Sequence, residues 1–491
     1  MILPRSSPRQ EGVDARGLVD FLDTVQQRRI ELHSVMVARH GRVVAEGWWQ
    51  PYAAGRAHLV YSVSKSLTAT AIGLLVDDGV LSLDDPVLAH LPGIERETLH
   101  PHWSQVTVRH CLTMTVGHEA DAWDPAFAGL GGDVLRPGTD WLPIVLGTVP
   151  EHIPGSTFTY NQVATYLLSR VARAASGRGL VAILRPRLLD PLGIPELPWQ
   201  RDPLGHELGF TGAHLTTEGL LAFSQLHLDR GEWRGQQLLP AAWVDEASAP
   251  FGPRHRDPAA NDDSVLGYGY SFWTSRHGYR ADGAFGQLGL VLPDEDAAVA
   301  ITAEHGAMQE ILDAFWETAH PALGRPGTAQ ADAVLSERLA ALAFPARSGV
   351  DRGPDDADVG RSGADHSAPA ATGDRSLSGA YTGVSVRRGR RGHLMRLRRR
   401  DSVLELQVGD GEWLESELRL GALRLPVVAS GGWVDGDTFE AEVFVVETPH
   451  RFRVTARLRA GEATLAWRER PLPGSDPFAL AVGPPPLRPV H

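Results

Sequence analysis

Strand-forming runs near residue 40 and near residue 285 enclose a long interval of helical sequence, so the chain must build its sheet from segments far apart in sequence. Residues 34–49 read as a hairpin whose β-branched strands reverse at His40-Gly41. Residues 268–276, 279–293 and 298–304 read as three consecutive strands, with helices expected over 307–319 and 329–342. In the interval, residues 62–78 carry Leu67, Ala71, Leu74 and Leu75 at helical spacing and stop at Gly79. Ser62 therefore opens a helix. Helices joined by Pro/Gly-rich loops continue to about residue 250. The class is α/β: one sheet covered by helices, with a helical subdomain alongside.

Residues 346–376 are rich in Gly, Asp, Ser, Pro and Ala and lack periodicity, which is the composition of a flexible linker. Residues 377–491 then carry short alternating runs, expected to form a small antiparallel β-barrel or β-sandwich domain. The division expected is thus 1–345, 346–376 and 377–491. The Arg-rich stretch 387–400 alternates Met395 and Leu397 with Arg396 and Arg398, as a half-exposed strand does. With a formal net charge of -13, the chain is not expected to bind nucleic acid, which needs a basic face. No run is long and apolar enough for a membrane span, and residues 1–10 lack the apolar core of a secretory signal. A cytoplasmic location and no membrane partner are expected. The single cysteine, Cys111, excludes an intrachain disulfide.

Lysine occurs once, at Lys65, among 47 basic residues. Arginine stays protonated at any ordinary pH, whereas a buried lysine can become a usable base. Ser62-Val63-Ser64-Lys65 is an S-x-x-K motif, and residues three apart on a helix share a face. The hydroxyl and the amine can meet there, and a serine needs such a partner to act as a nucleophile. Downstream, a Pro154-Gly155 loop leads through Tyr160-Asn161-Gln162 into a second helix. A third element, Gly286-Gln287-Leu288-Gly289-Leu290, lies in the late strands.

With these three motifs the chain resembles the β-lactamase-related serine hydrolases, the group of class C β-lactamases, DD-peptidases, related esterases and nylon-oligomer hydrolases. The resemblance spans about residues 8–320 and includes 106–114. It implies the β-lactamase/DD-peptidase-like three-layer sandwich, an antiparallel sheet with flanking helices and a helical subdomain, and an acyl-enzyme on Ser62, with Lys65 and Tyr160 as general base and acid. It also implies an oxyanion hole from the N–H groups of Ser62 and Leu290, with Gln162, Gln287 and Gly289 binding substrate. Gln162 stands where the family has asparagine. Gln287 stands in the K-T-G or H-x-G place, where a neutral amide cannot hold a substrate carboxylate as a cation does. The expected partner is therefore a small-molecule ester or amide. A β-lactamase or DD-peptidase is the alternative within the family, and a non-hydrolytic ligand-binding or sensor homologue the alternative outside catalysis. No cofactor and no metal are expected, since His100-Pro101-His102 and His118-Glu119-Ala120-Asp121 lack zinc-motif spacing. The oligomeric state is left open.

Overall fold

The computed structural model describes residues 1–128, 130, 134–251, 262–350, 356–359, 383–398, 403–474 and 476–481. It divides into two units, Met1–Trp48 with Ala57–Leu342 and Trp49–Arg56 with Ala343 onward. Among the described residues no helix is long and apolar enough to cross a membrane.

In the first unit, strands β1 (Leu32–Arg39), β2 (Arg42–Trp48), β3 (Trp273–Ser275), β4 (Gly278–Gly283), β5 (Gln287–Leu292) and β6 (Ala297–Ala303) form one antiparallel sheet. Their order is β2-β1-β6-β5-β4-β3, so the amino-terminal hairpin pairs with the last strand of the late group. The expected joining of distant segments is realised at β1 and β6, with Met36 opposite Ala300. Two expected strand spans change. Residues 268–276 contribute only the short β3, and residues 279–293 fold back on themselves as β4 and β5. The reversal falls at Phe285 and Gly286, whose φ values of 67° and 89° lie in the left-handed region and end strand geometry.

Helices cover both faces of the sheet. An added methyl at Gly47 on β2 would meet Leu339 and Leu342, which places the helix Ala329–Ala340 on one face. At Gly289 on β5 it would meet Leu220 and Ser224, which places the helix Thr217–Leu228 on the other. Beside this layer runs α1 (Val63–Asp77), buried from Val63 through Leu75. Its small polar residues are satisfied internally: Ser66 donates to Ser271 O at 2.6 Å, Thr68 to Gly209 O at 2.9 Å and Thr70 to Ser66 O at 2.9 Å. Gly73 fits because Trp243 lies against the helix there, 2.4 Å from where a Cβ would stand.

The second unit is a nine-stranded sheet running from Asp356–Val359 to Glu462–Trp467. It is almost wholly antiparallel, and its ends curl toward each other. Its amino-terminal part includes Trp49–Arg56: Phe344 N donates to Gln50 O at 2.7 Å, and Tyr52 packs edge-on to Phe344 and Phe444. The expected boundary at 345 therefore moves to Leu342, and one earlier segment joins the second unit. Of the expected linker, residues 346–350 are held by this unit, with Arg347 N donating to Ser430 Oγ at 2.9 Å, and 356–359 pair as a strand. The remainder, 351–355 and 360–376, lies outside the described residues. Met395 and Leu397 are buried, while Arg396 pairs with Glu405 and Arg391 with Glu412 across the surface, as in a half-exposed strand.

Candidate active site

Ser62 precedes the first turn of α1 and stays partly exposed, while Lys65, one turn further, is buried. The spacing does what the sequence implies. Lys65 Nζ stands 2.9 Å from Ser62 Oγ and donates to Phe210 O, also at 2.9 Å. Its ammonium form has lost most of its hydration, and that desolvation lowers the Lys65 pKa to about 7, with Asp121 acting in the opposite direction. The amine can thus be neutral near physiological pH, with a lone pair free for the serine proton. A hydroxyl beside such an amine is equipped for nucleophilic attack. The preceding residue, Tyr61, has φ of 45°, an uncommon backbone state for a tyrosine and one that lets the chain turn sharply into the helix.

Tyr160 arrives from the second helical element. The helix Gln162–Ser176 is capped by Asn161, whose side-chain oxygen accepts from Val163 N at 3.0 Å. The Asn161 amide reaches back to His118 Nδ1 at 2.9 Å, and His118 Nε2 lies 2.9 Å from Thr148 Oγ1, so cap and loop are held as one piece. This fixes Tyr160 with its ring centroid 4.7 Å from Lys65 Nζ. Burial raises the Tyr160 phenol well above its usual range, and a hydrogen bond with Ser62 acts in the opposite direction. Tyr160 therefore remains a proton donor while Lys65 can lose its proton. Gln162 is partly exposed, and its main-chain N–H donates to Asp121 Oδ1 at 3.1 Å.

The third element departs from its expected place. Gln287 is fully buried: Nε2 donates to Ala284 O at 3.1 Å and Ala303 O at 2.7 Å, and Oε1 accepts from Ala303 N. Its amide is consumed by main chain and has nothing to offer a substrate. Gly289 lies under the helix Thr217–Leu228. Leu290 sits in mid-strand between Arg280 on β4 and Val299 on β6, so its N–H belongs to the sheet ladder and not to an oxyanion hole. The segment that approaches the turn leading into Ser62 is instead the end of β4, where Gly283 faces Val60. A methyl on Gly283 would stand 2.2 Å from Val60 O, so only glycine permits this approach. Among the described residues, neither Ser62 N–H nor Ala284 N–H donates to a main-chain carbonyl. Gly283→Ala must therefore push β4 away from the nucleophile and is expected to lower kcat/KM on an ester by at least about 10-fold. Gly289→Ala meets side-chain ends and is expected to lower the melting temperature while preserving kcat/KM.

Around these groups stand residues that motif reading misses. Trp273 stacks on Tyr160 at 5.4 Å, Tyr268 meets it edge-on at 6.0 Å, and Phe210 packs on Trp123 at 4.4 Å. Asp282 is a half-buried polar residue at the strand end, held by Arg280 Nε at 2.7 Å. Burial raises the Asp282 pKa, partly offset by Arg280. Arg280 is spent on that carboxylate, on Thr274 O and on Ser275 Oγ. Composition alone could flag the aromatic residues; only the reversal at 284–286 reveals Asp282 and Ala284. Cys111 is buried, with its thiol pKa pushed up by desolvation, and takes no part.

The sequence model of the family described as Beta-lactamase matches residues 18–314. Esterase/beta-lactamase LipL of Mycobacterium tuberculosis (strain ATCC 25618 / H37Rv) is 26% identical over 168 residues, covering 33% of this chain and 36% of that protein. 6-Aminohexanoate-dimer hydrolase of Paenarthrobacter ureafaciens is 24% identical over 262 residues, covering 50% of this chain and 64% of its own length. The chain thus spans less than two thirds of the length of these curated relatives. A solved structure provisionally assigned as a 6-aminohexanoate-dimer hydrolase from Bacillus anthracis shares the fold, with a TM-score of 0.53 at 20% identity over 66% of this chain and 88% of the other.

Proposed function

The chain belongs to the β-lactamase family, and from that premise we propose that it is a serine hydrolase that cleaves a carboxylic ester or small amide through an acyl-enzyme on Ser62. The observation that carries the reading is the 2.9 Å approach of the buried Lys65 amine to the Ser62 hydroxyl. Neutral Lys65 takes the hydroxyl proton as Ser62 Oγ bonds to the substrate carbonyl carbon. The carbonyl oxygen becomes an oxyanion, and the N–H groups of Ser62 and Ala284 are its donors. Collapse breaks the bond to the leaving group, which receives a proton from Tyr160; the Lys65 proton restores the phenol. Water then attacks the ester on Ser62 by the same route and releases the acid. The ester-named and amide-named relatives support both leaving groups.

The strand end also bears on substrate choice. Asp282 presents a carboxylate beside the site, and Arg280 is already committed to it. A substrate carboxylate brought there meets an aspartate whose arginine partner is already spent on it, on Thr274 O and on Ser275 Oγ, and so gains no charge-assisted hold from Arg280. The aromatic walls formed by Tyr160, Trp273 and Tyr268 suit an uncharged, apolar group. Turnover of p-nitrophenyl acetate is accordingly expected to exceed that of nitrocefin and of a D-alanyl-D-alanine peptide by about 100-fold or more in kcat/KM. The reverse order assigns a β-lactamase or DD-peptidase role. Stable labelling of Ser62 without release of product assigns the non-hydrolytic role.

A further inference from the structure

At the far end of the sheet from Ser62, three chain segments bring His277, Glu295 and His320 together. His277 lies in the reversal between β3 and β4, Glu295 in the turn between β5 and β6, and His320 just beyond the helical segment that follows β6. One ligand atom from each lies within 4.8 Å of the others. His320 Nε2 is 2.8 Å from Glu295 Oε1, and the His277 ring stacks on that of His320 with centroids 3.7 Å apart. A His–Glu pair alone is ordinary. The third member is the unusual one, because no hydrogen bond holds either nitrogen of His277 among the described residues.

We propose that His277, Glu295 and His320 bind a zinc-like divalent cation, with water in the fourth position. Two imidazole nitrogens and one carboxylate oxygen are a three-ligand set that zinc accepts. Bonds of about 2.0–2.2 Å bring tetrahedral ligand atoms to roughly 3.4 Å apart, a closure that rotation of the two rings and the glutamate can supply. The cation takes the place between His320 Nε2 and Glu295 that a hydrogen bond now fills, and the one ring proton of the neutral His320 is then carried on Nδ1. Local charge favours this: Arg276 beside His277 is already neutralised by Asp263 and Asp313. Trp316, edge-on to His277 at 5.1 Å, walls one side. The ion ties two sheet turns to the helix end. It lies about 17 Å along β4 from Gly283, at roughly 3.3 Å per residue, so it is a clamp on the strand and not a participant at Ser62.

The test uses the full chain, stripped with a chelator, desalted, and titrated with Zn²⁺ by calorimetry and with Co²⁺ by visible absorption. One Zn²⁺ per chain is expected, with a four-coordinate Co²⁺ spectrum that Zn²⁺ displaces and a higher melting temperature in the presence of Zn²⁺. His277→Ala and Glu295→Gln should each weaken binding by about 100-fold or more, with unchanged circular dichroism establishing that both variants fold. His102→Ala, at another histidine pair that lacks a carboxylate, should leave binding as it was. Absence of the Co²⁺ spectrum in the wild-type chain, or equal Zn²⁺ affinity in His277→Ala and Glu295→Gln, overturns the site. Neither outcome depends on hydrolytic activity.

Discussion

Ser62→Ala is expected to abolish covalent labelling by a fluorophosphonate probe and to lower kcat/KM on p-nitrophenyl esters by about 10⁴- to 10⁶-fold. The replacement removes one oxygen atom at a partly exposed position in front of α1, so the fold should persist. What disappears is the bond on which both half-reactions depend. A residual rate above that of water is expected, because donors that hold an oxyanion still act on a carbonyl attacked directly by water. Equal labelling and equal turnover in the variant and the wild type would sink the serine-hydrolase reading. Labelling lost with turnover retained would move the nucleophile elsewhere.

Lys65→Met is expected to cost about 10²- to 10⁴-fold in kcat/KM and, unusually for a buried substitution, to stabilise the chain below neutral pH. Both effects have one cause. The Lys65 pKa falls from 10.5 to about 7 because burial penalises the ammonium. Between those two values the unfolded chain holds a proton that the folded chain has released. Stability of the wild type therefore rises with pH across that window, by at most about 1.4 kcal/mol per pH unit. Below about pH 7 the folded state must bury a charged amine. Methionine keeps the length of the side chain without that charge. The variant should melt at a higher temperature than the wild type at pH 6, with the advantage shrinking as pH climbs toward 10. In activity, the wild-type kcat/KM should increase through about pH 7 and level off once the amine is neutral. A flat profile from pH 5.5 to 8.5 would remove Lys65 from the role of base.

The pair at the centre of both experiments is legible in the sequence because it is local. Three residues on a helix are enough to bring a hydroxyl to an amine, and the scarcity of lysine marks which amine. Tyr160 follows from a loop-to-helix motif, again a short-range signal. The sheet is legible in outline, because its strands alternate or run apolar, but pattern reading merges two of the late strands into one. Residues 279–293 hold an Asp282-Gly283 pair, but Gly283 is the last residue of β4, paired with Gln287, and the turn itself falls after it. Their reversal uses Phe285 and Gly286 in left-handed backbone, with Gly286 packed against Ile311 and Ala303. A short, half-buried turn with an aromatic residue in it carries the periodicity of a strand, so reading by pattern runs through it. That one hidden reversal displaces three expected site residues, Gln287, Gly289 and Leu290, onto the central strand.

The amino-acid order is enough for the pairing of Ser62 with Lys65, the α/β class, the join between the amino-terminal hairpin and the late strands, and a separate β-rich carboxy-terminal part. Each rests on contacts a few residues apart or on composition over a long window. Packing of distant segments is what lays Gly283 against Val60, just before Ser62, and sets Phe210 O on Lys65. It also places Trp49–Arg56 in the second unit and brings His277, Glu295 and His320 together. These depend on which chain segments desolvate one another, and desolvation is a property of the packed molecule. The same burial that lowers the Lys65 pKa and raises that of Tyr160 gives the serine, lysine and tyrosine the protonation states on which the proposed acyl transfer relies.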